Sequence, residues 1–167
     1  GVAYIDNWIS PIPNVVFVFP GSLGNNEKNI AEASSHETGH AFGLQHQSTF
    51  DAAGIKLKEY NPGGGGWAPI MGNSYSQALS TWSNGPSSLG ANILQDDMAV
   101  IARASNGFGY RADDHAGAVG SGDALAIDGN AVSAAGVIET MSDVDAFSFV
   151  TDAGAISLSA NVIDIGA

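Results

Sequence analysis

The chain carries a histidine-rich motif that constrains both its local structure and its chemistry. Residues 36–46 read His-Glu-Thr-Gly-His-Ala-Phe-Gly-Leu-Gln-His. Because helical positions four apart lie on one face one turn from each other, His36 and His40 can present imidazole nitrogens to one metal ion. A helix that breaks at Gly43 lets the chain turn, since glycine tolerates the backbone angles that such a turn needs. The motif therefore predicts that His46 joins the other two histidines.

Three histidines on one ion are typical of a catalytic zinc site. They leave the fourth tetrahedral position for water, whereas a structural site fills it with another protein ligand. Zinc lowers the pKa of that water to about 7, and Glu37, next to His36, can take its proton as the general base. Two alternatives stay open: the histidines are unrelated surface or core residues, or they form a purely structural zinc site that has no use for Glu37.

The composition indicates one globular domain, or one reduced domain with part of another. Of the 167 residues, 44% are hydrophobic and 13% are charged, which is not the profile of a disordered chain. No apolar run approaches the roughly 20 residues of a membrane span. We therefore expect a soluble chain with a packed core.

The charge balance disfavours several classes of partner. There are 17 Asp and Glu residues against five Lys and Arg residues, a net charge of -12, which repels phosphate backbones and anionic headgroups. We expect neither nucleic acid nor a membrane as a partner. With no cysteine, any metal is held by His, Asp or Glu. The chain opens at Gly1 without an initiator Met or an apolar leader, as expected of a processed chain or a fragment.

Two strands and a helix are predicted up to the motif. The apolar runs 1–9 and 15–19 are separated by a segment with two prolines, which excludes a continuous helix, and the second run favours a buried strand. Over residues 26–42 the pattern changes to three- and four-residue spacing, which predicts a helix with Asn25 or Asn26 as its N-cap.

After the motif, a long connection precedes a second predicted helix. Residues 47–70 include four consecutive glycines, which indicate a flexible loop. Apolar residues keep helical spacing over 91–104, which predicts the helix.

The composition shifts to Asp, Gly, Ala and Ser after Arg111, which places a boundary near residues 110–116. Strict alternation over 156–162 predicts a half-buried strand that ends or bulges at Ile163. The residues around Phe147 predict another strand before it. An all-β segment is therefore expected beyond the boundary.

The motif resembles that of the metzincins, a clan of zinc endopeptidases marked by His-Glu-x-x-His-x-x-Gly-x-x-His and a methionine turn. Residues 68–72, Ala-Pro-Ile-Met-Gly, lie about 25 residues after His46 and are similar to that turn. The resemblance implies that Met71 forms an apolar floor beneath the metal. Some members carry a tyrosine two residues after the methionine; here the nearest is Tyr75, a candidate for contact with the metal or the transition state.

The resemblance covers about residues 1–110. Residues 1–4 look like the edge strand of reprolysin-like members, which lies along a bound peptide. The residue after the third histidine often distinguishes the families, and Gln47 matches none of the common choices. With only 35 residues before His36, the earlier strands and first helix of the clan's catalytic domain are expected to be missing.

The tail resembles the start of the pre-peptidase C-terminal type of β-sandwich that follows many secreted bacterial proteases. The similarity rests on the segment that begins at Ala112 and on residues 143–149. Asp143 and Asp145 are interpreted as solvated carboxylates, with calcium binding as the alternative. His115 is interpreted as a plain surface residue, because no ligand spacing surrounds it.

Together these patterns predict an α+β fold. Residues 1–112 are expected to form a partial metzincin-like catalytic domain, with a mixed sheet packed on the zinc helix, and residues 113–167 a partial β-sandwich. The expected function is zinc-dependent hydrolysis of protein or peptide substrates by a secreted, bacterial endopeptidase with one catalytic zinc. Two alternatives remain: an inactive zinc-binding relative that serves as a binding or adhesion module, and a zinc amidase that acts on cell-wall peptides.

Overall fold

The structure is a computed structural model that describes residues 1–11 and 13–161. It is mixed α/β, with few helices and small sheets. Contacts divide it into two compact units, Gly1–Gly109 and the residues from Tyr110 onward. In the part of the chain that is described, no helix is long and apolar enough to cross a membrane.

The first unit is organised around the predicted helix, α1 (Glu27–Ala41). Asn26 is its N-cap, and the Asn26 side chain accepts a hydrogen bond from the backbone N–H of Asn29 at 3.0 Å. The acidic Glu27 in the first turn agrees with the helix dipole. The helix thus begins and ends within a residue of the predicted bounds.

The two predicted N-terminal strands are present, but they are short. β1 (Val2–Ala3) and β2 (Val16–Phe17) form an antiparallel pair beside α1. The prediction that residues 15–19 are buried is wrong, because the Phe17 and Phe19 side chains are each 52% exposed.

The first apolar run, residues 1–9, is a strand only at Val2–Ala3, because the backbone further along hydrogen-bonds to α1 instead of to β2. The N–H groups of Asp6 and Trp8 donate to the carbonyl oxygens of His40 and Ala41, at 2.9 and 3.0 Å. These carbonyls belong to the last turn of α1, where the regular helical donors are missing, and His40 also accepts from the N–H of Gly43. Residues 5–9 therefore cap the end of α1 and do not extend β1.

The other strands of this unit form further two-stranded sheets. They are β3 (Thr49–Phe50) antiparallel to β4 (Lys56–Lys58), β5 (Trp67–Pro69) parallel to β6 (Leu79–Thr81), and β7 (Asn84–Pro86) antiparallel to β8 (Leu94–Asp96). The expected single mixed sheet on the helix is therefore not present among the described residues, because each short strand pairs with one neighbour.

The second predicted helix is much shorter than residues 91–104. Leu94–Asp96 is strand β8, and the helix that follows, α2, spans Asp97–Ile101. The Asp96 carboxylate caps it by accepting from the N–H of Ala99 at 3.0 Å. The spacing of the apolar residues is typical of a helix. However, Gln95 is buried and forms hydrogen bonds with Gln45, and these bonds hold residues 94–96 in a strand.

The second unit contains only short strands among its described residues. β9 (Asp123–Ala124) pairs in parallel with β12 (Phe147–Ser148), and β10 (Ala126–Asp128) pairs antiparallel with β11 (Ala131–Ser133). The predicted strand around Phe147 is thus present. Residues 156–161 form no strand with any described residue, and Val162 and Ile163 lie outside the described residues.

Candidate metal centre

α1 places two of the three motif histidines one turn apart. The ring centroids of His36 and His40 are 4.9 Å apart; His40 is buried and His36 is partly buried. Ala33 and Ala41, on the same helix, are at most 4% exposed and pack the helix against the core of the unit. The first two ligands of the predicted site therefore rest on the most regular element of the fold.

A glycine turn brings the third histidine back to the helix. Gly43 has φ +107°, its N–H donates to the carbonyl of His40, and the N–H of Leu44 donates to the carbonyl of Gly39. This pair of bonds is the Schellman motif, which closes a helix and reverses the chain. His46 then lies with its ring centroid 4.9 Å from that of His40 and 5.3 Å from that of His36.

The three imidazoles converge as a metal site requires. One ligand nitrogen from each of His36, His40 and His46 lies within 4.8 Å of the other two. Small rotations of the rings allow one ion, with bonds of about 2 Å, to bind all three. Imidazole ligands suit zinc, copper, iron and nickel. The structure therefore brings together the predicted ligands, and they can hold a metal ion.

Each ring is oriented by a different segment of the fold through its Nδ1 atom. His36 Nδ1 is 2.8 Å from the carbonyl oxygen of Ile70, His40 Nδ1 is 2.7 Å from that of Leu44, and His46 Nδ1 is 2.6 Å from a carboxylate oxygen of Glu59. All three partners are acceptors, so Nδ1 carries the hydrogen in each ring. Nε2 is then left with its lone pair for a metal, the usual arrangement behind histidine ligands.

Burial keeps two of the histidines neutral. The pKa of His36 is lowered from 6.5 to about 4, mainly by desolvation and in smaller part by the nearby His40 and His46. Desolvation also lowers the pKa of His40. Only a neutral imidazole binds a metal, so both rings are in the binding form at neutral pH.

Glu37 faces a cleft beside the histidines. The cleft has a volume of about 270 Å³, and its lining includes His36, Glu37 and the N-terminal Gly1. The Glu37 side chain is 10% exposed, and the α-amino group of Gly1 lies 3.5 Å from its Oε1. Among the described residues, no hydrogen bond to the Glu37 carboxylate is present. Its oxygens are therefore available to accept a proton from a molecule in the cleft.

The methionine turn passes directly under the helix. Met71 is completely buried, and a Cβ atom at Gly39 would lie 2.6 Å from its sulfur. Gly39 therefore leaves the space that Met71 fills. Sequence reasoning did not single out Gly39, although a glycine inside a helix costs about 1 kcal/mol relative to alanine and so indicates a packing reason.

Gln47 connects the third histidine to the methionine turn. Its backbone N–H donates to the carbonyl of Met71 at 2.8 Å. Its side-chain amide donates to Ser83 and Asp97, at 3.0 and 3.2 Å, and the residue is 1% exposed. The unusual residue after His46 is thus a buried structural support for the site.

Two tyrosines line the same cleft as Glu37. The Tyr60 ring lies 4.3 Å from the His46 ring and 6.0 Å from the His36 ring, measured between centroids. Tyr75, the tyrosine predicted from sequence, lines the cleft and is 42% exposed. Tyr60 and Glu59 were not predicted, because they lie in the long loop whose course cannot be read from spacing.

In the second unit, His115 is not the plain surface residue that was expected. Its Nδ1 lies 2.6 Å from a carboxylate oxygen of Asp123, and its Nε2 lies 2.9 Å from the carbonyl oxygen of Ala135. Because both partners are acceptors, both ring nitrogens donate. The hydrogen bond to Asp123 accordingly raises the pKa of His115 from 6.5 to about 9. His115 is a charged, structural residue.

Comparison with known proteins adds no relative: no family model, no curated protein and no solved structure matches this chain. Its function is therefore inferred from the chemistry of the histidine site.

Proposed function

We propose that this chain is a zinc-dependent endopeptidase of the secreted bacterial type, with a metzincin-like catalytic region in residues 1–112. The observation that carries the proposal is the convergence of three oriented histidines beside a carboxylate to which none of the described residues donates a hydrogen bond. A structural zinc site would instead need a fourth protein ligand. Among the described residues, no fourth His, Cys, Asp or Glu joins this group.

His36, His40 and His46 would hold the ion. Zinc bound there supplies Lewis-acid polarisation of the scissile carbonyl and lowers the pKa of a water molecule. Glu37 accepts the proton of the attacking water and passes it to the leaving amine. The buried Met71 and the Gln47 network hold the ligands in place from below.

An extended peptide fits the neighbourhood of β1. In the described residues, β1 pairs with β2 along one edge, and Gly1, which precedes β1, lines the cleft next to Glu37. An open strand edge recognises a peptide backbone through main-chain hydrogen bonds. Such a groove is open at both ends, which favours an endopeptidase over an exopeptidase.

The test is hydrolysis of an unstructured protein by the zinc-loaded protein and its Glu37→Gln variant, in the full-length parent. Glutamine keeps the size of the side chain but cannot accept the proton. We expect zinc content and fold to persist while the rate falls by about 10²-fold or more. Glu27→Gln, on the exposed first turn of the same helix, is the control and should keep full activity.

Undiminished hydrolysis in a zinc-loaded Glu37→Gln variant would contradict the role of Glu37. Loss of zinc in that variant would make Glu37 structural. A peptidoglycan fragment is assayed in parallel, and its cleavage in place of the protein would identify a cell-wall amidase.

A further inference from the structure

Five carboxylates gather in the second unit, and none of them belongs to the histidine site. Oxygens of Asp113, Glu139 and Asp143 lie within 4.8 Å of one another, and so do oxygens of Asp113, Asp114 and Asp145. The two groups share Asp113. The sequence placed Asp143 and Asp145 near each other but gave no reason to join them to the residues that begin the unit.

The burial of Glu139 is not expected if the cluster is simply a group of solvated carboxylates. Its side chain is only 3% exposed, and neither carboxylate oxygen has a hydrogen-bond partner in the part of the chain that the structure describes. The nearest cation, Arg111, has its Nε 3.7 Å from Glu139, too long for a hydrogen bond, and the arginine is 63% exposed. Asp145 likewise has a buried Oδ1 without a partner. A buried carboxylate without donors is strongly unfavourable unless a cation or a proton compensates it.

The surrounding charges do not compensate the cluster. Its positive neighbours are Arg111 and His115, both 3.7 Å or more from its carboxylate oxygens. Burial raises the pKa of Glu139 and of Asp145, and neighbouring aspartates raise both further. The loop also holds its carboxylates in place, since the N–H of Glu139 donates to Asp143 at 2.9 Å.

We propose that these five carboxylates bind a calcium ion in the second unit. The donors are all oxygens, which suit hard cations. Calcium accepts six to eight oxygen ligands in flexible geometry, and carboxylates bind it through one or both oxygens. Magnesium requires a near-ideal octahedron and keeps several of its waters, which a crowded, partly buried set of carboxylates does not favour.

Calcium binding is measured by calorimetric titration and by thermal unfolding of the full chain, with zinc held constant. We expect one calcium ion per chain, a dissociation constant on the order of 10⁻⁴ to 10⁻³ M, and a melting temperature that rises with calcium. Glu139→Gln should weaken binding about tenfold or more. Asp143→Asn provides the same test if the first variant does not fold.

Two control variants test whether calcium binding depends on the five clustered carboxylates and not on other acidic residues or on the histidine site. Asp128→Asn removes an exposed carboxylate of β10 outside the cluster and should leave calcium affinity unchanged. His46→Ala should lose zinc but keep the calcium response. Equal affinity for magnesium would overturn the assignment to calcium. Calcium binding that persists in both Glu139→Gln and Asp143→Asn would also overturn the proposal. So would a melting temperature that does not change with calcium, which is the result expected if a proton shared between Glu139 and Asp143 neutralises the cluster.

Discussion

Glu32 and Glu37 line one cleft, yet their surroundings give them different roles. Glu32 accepts hydrogen bonds from Lys28, Ser74 and Ser80, at 2.7 to 3.0 Å. Burial raises the pKa of Glu32, but these donors outweigh burial and lower it overall. Glu32 is therefore an ionised carboxylate whose hydrogen bonds connect α1 to the segment after the methionine turn. Among the described residues, Glu37 accepts no such hydrogen bonds and pairs with the α-amino group of Gly1 at 3.5 Å, so we expect its carboxylate to be available for proton transfer.

Tyr60 is the tyrosine that lies against the histidine rings, so we expect it to matter more than Tyr75. Burial raises the pKa of both phenols, and the charge of Glu37 raises both further, so each keeps its proton at neutral pH and can donate to a developing oxyanion. Tyr60→Phe should lower kcat by about 10²-fold, with a smaller effect on KM. Steady-state kinetics of the two Phe variants checks this, and a larger loss in Tyr75→Phe would reverse the assignment.

Asp97 is a buried carboxylate that supports the site from a distance. Burial raises its pKa from 3.8 to about 6, against the effect of donors on Ser83, Gln95 and Gln47. The folded protein therefore binds this proton more tightly than the unfolded chain does. The contribution of Asp97 to stability is largest below about pH 4 and is lost as pH rises through about 6.

Denaturant unfolding of the metal-free protein and its Asp97→Asn variant, between pH 4 and 7, measures this contribution. The stability of the wild type relative to the variant should fall from pH 4 to 6 and then level off. A relative stability that rises over this interval would show that the donors, and not burial, determine the pKa of Asp97.

At the scale of elements, the turn after α1 does two things at once. It reverses the chain so that His46 returns to the helix, and its Leu44 carbonyl accepts from the His40 ring. Two constraints, the backbone conformation and the lack of space for a side chain, require glycine at position 43. Its φ is +107°, and a Cβ atom there would lie 2.8 Å from Nη2 of Arg103, which also pairs with Asp6.

Gly43→Ala should therefore destabilise the fold by roughly 1–3 kcal/mol, through backbone strain and displacement of Arg103. It should also weaken zinc binding, because His46 can no longer meet the other ligands. Gly64→Ala is the matched control, since a Cβ atom at Gly64 meets nothing within 4 Å and its φ is not positive. Thermal unfolding and zinc competition titrations measure both effects. Normal zinc affinity in Gly43→Ala would show that the turn does not position the ligand.

At the scale of the molecule, all the residues of the histidine site belong to the first unit. The second unit has its own carboxylate cluster and its own short strands. The two sites therefore draw on separate sets of side chains.

We expect a chain that ends at Gly109 to keep the zinc site, since it retains His36, His40, His46 and Glu37. It should bind about one zinc per chain, with an affinity within a few-fold of the longer chain. Zinc titration with circular dichroism checks both binding and fold. A truncated chain that keeps its helix signal but loses zinc would show that the second unit is needed for the site.

Local pattern was enough to predict α1, its two histidines and the turn that brings His46 back to them. Helical spacing places His36 and His40 on one face, and a glycine at position 43 permits the turn, so short-range geometry decides these positions. Residues 91–104 were predicted less well, because the buried bonds of Gln95 to Gln45, a partner 50 residues away, override helical spacing.

Tertiary structure alone decided which groups orient the ligands and which carboxylates meet. Ile70 and Glu59 accept from the histidine rings, and Tyr60 packs against them, although all three lie in or after a glycine-rich loop. Glu139 reaches Asp113 from 26 residues away in the chain. A repeating pattern reports only which side of an element a residue occupies, whereas these contacts depend on how irregular segments close, and glycine leaves their backbone angles open.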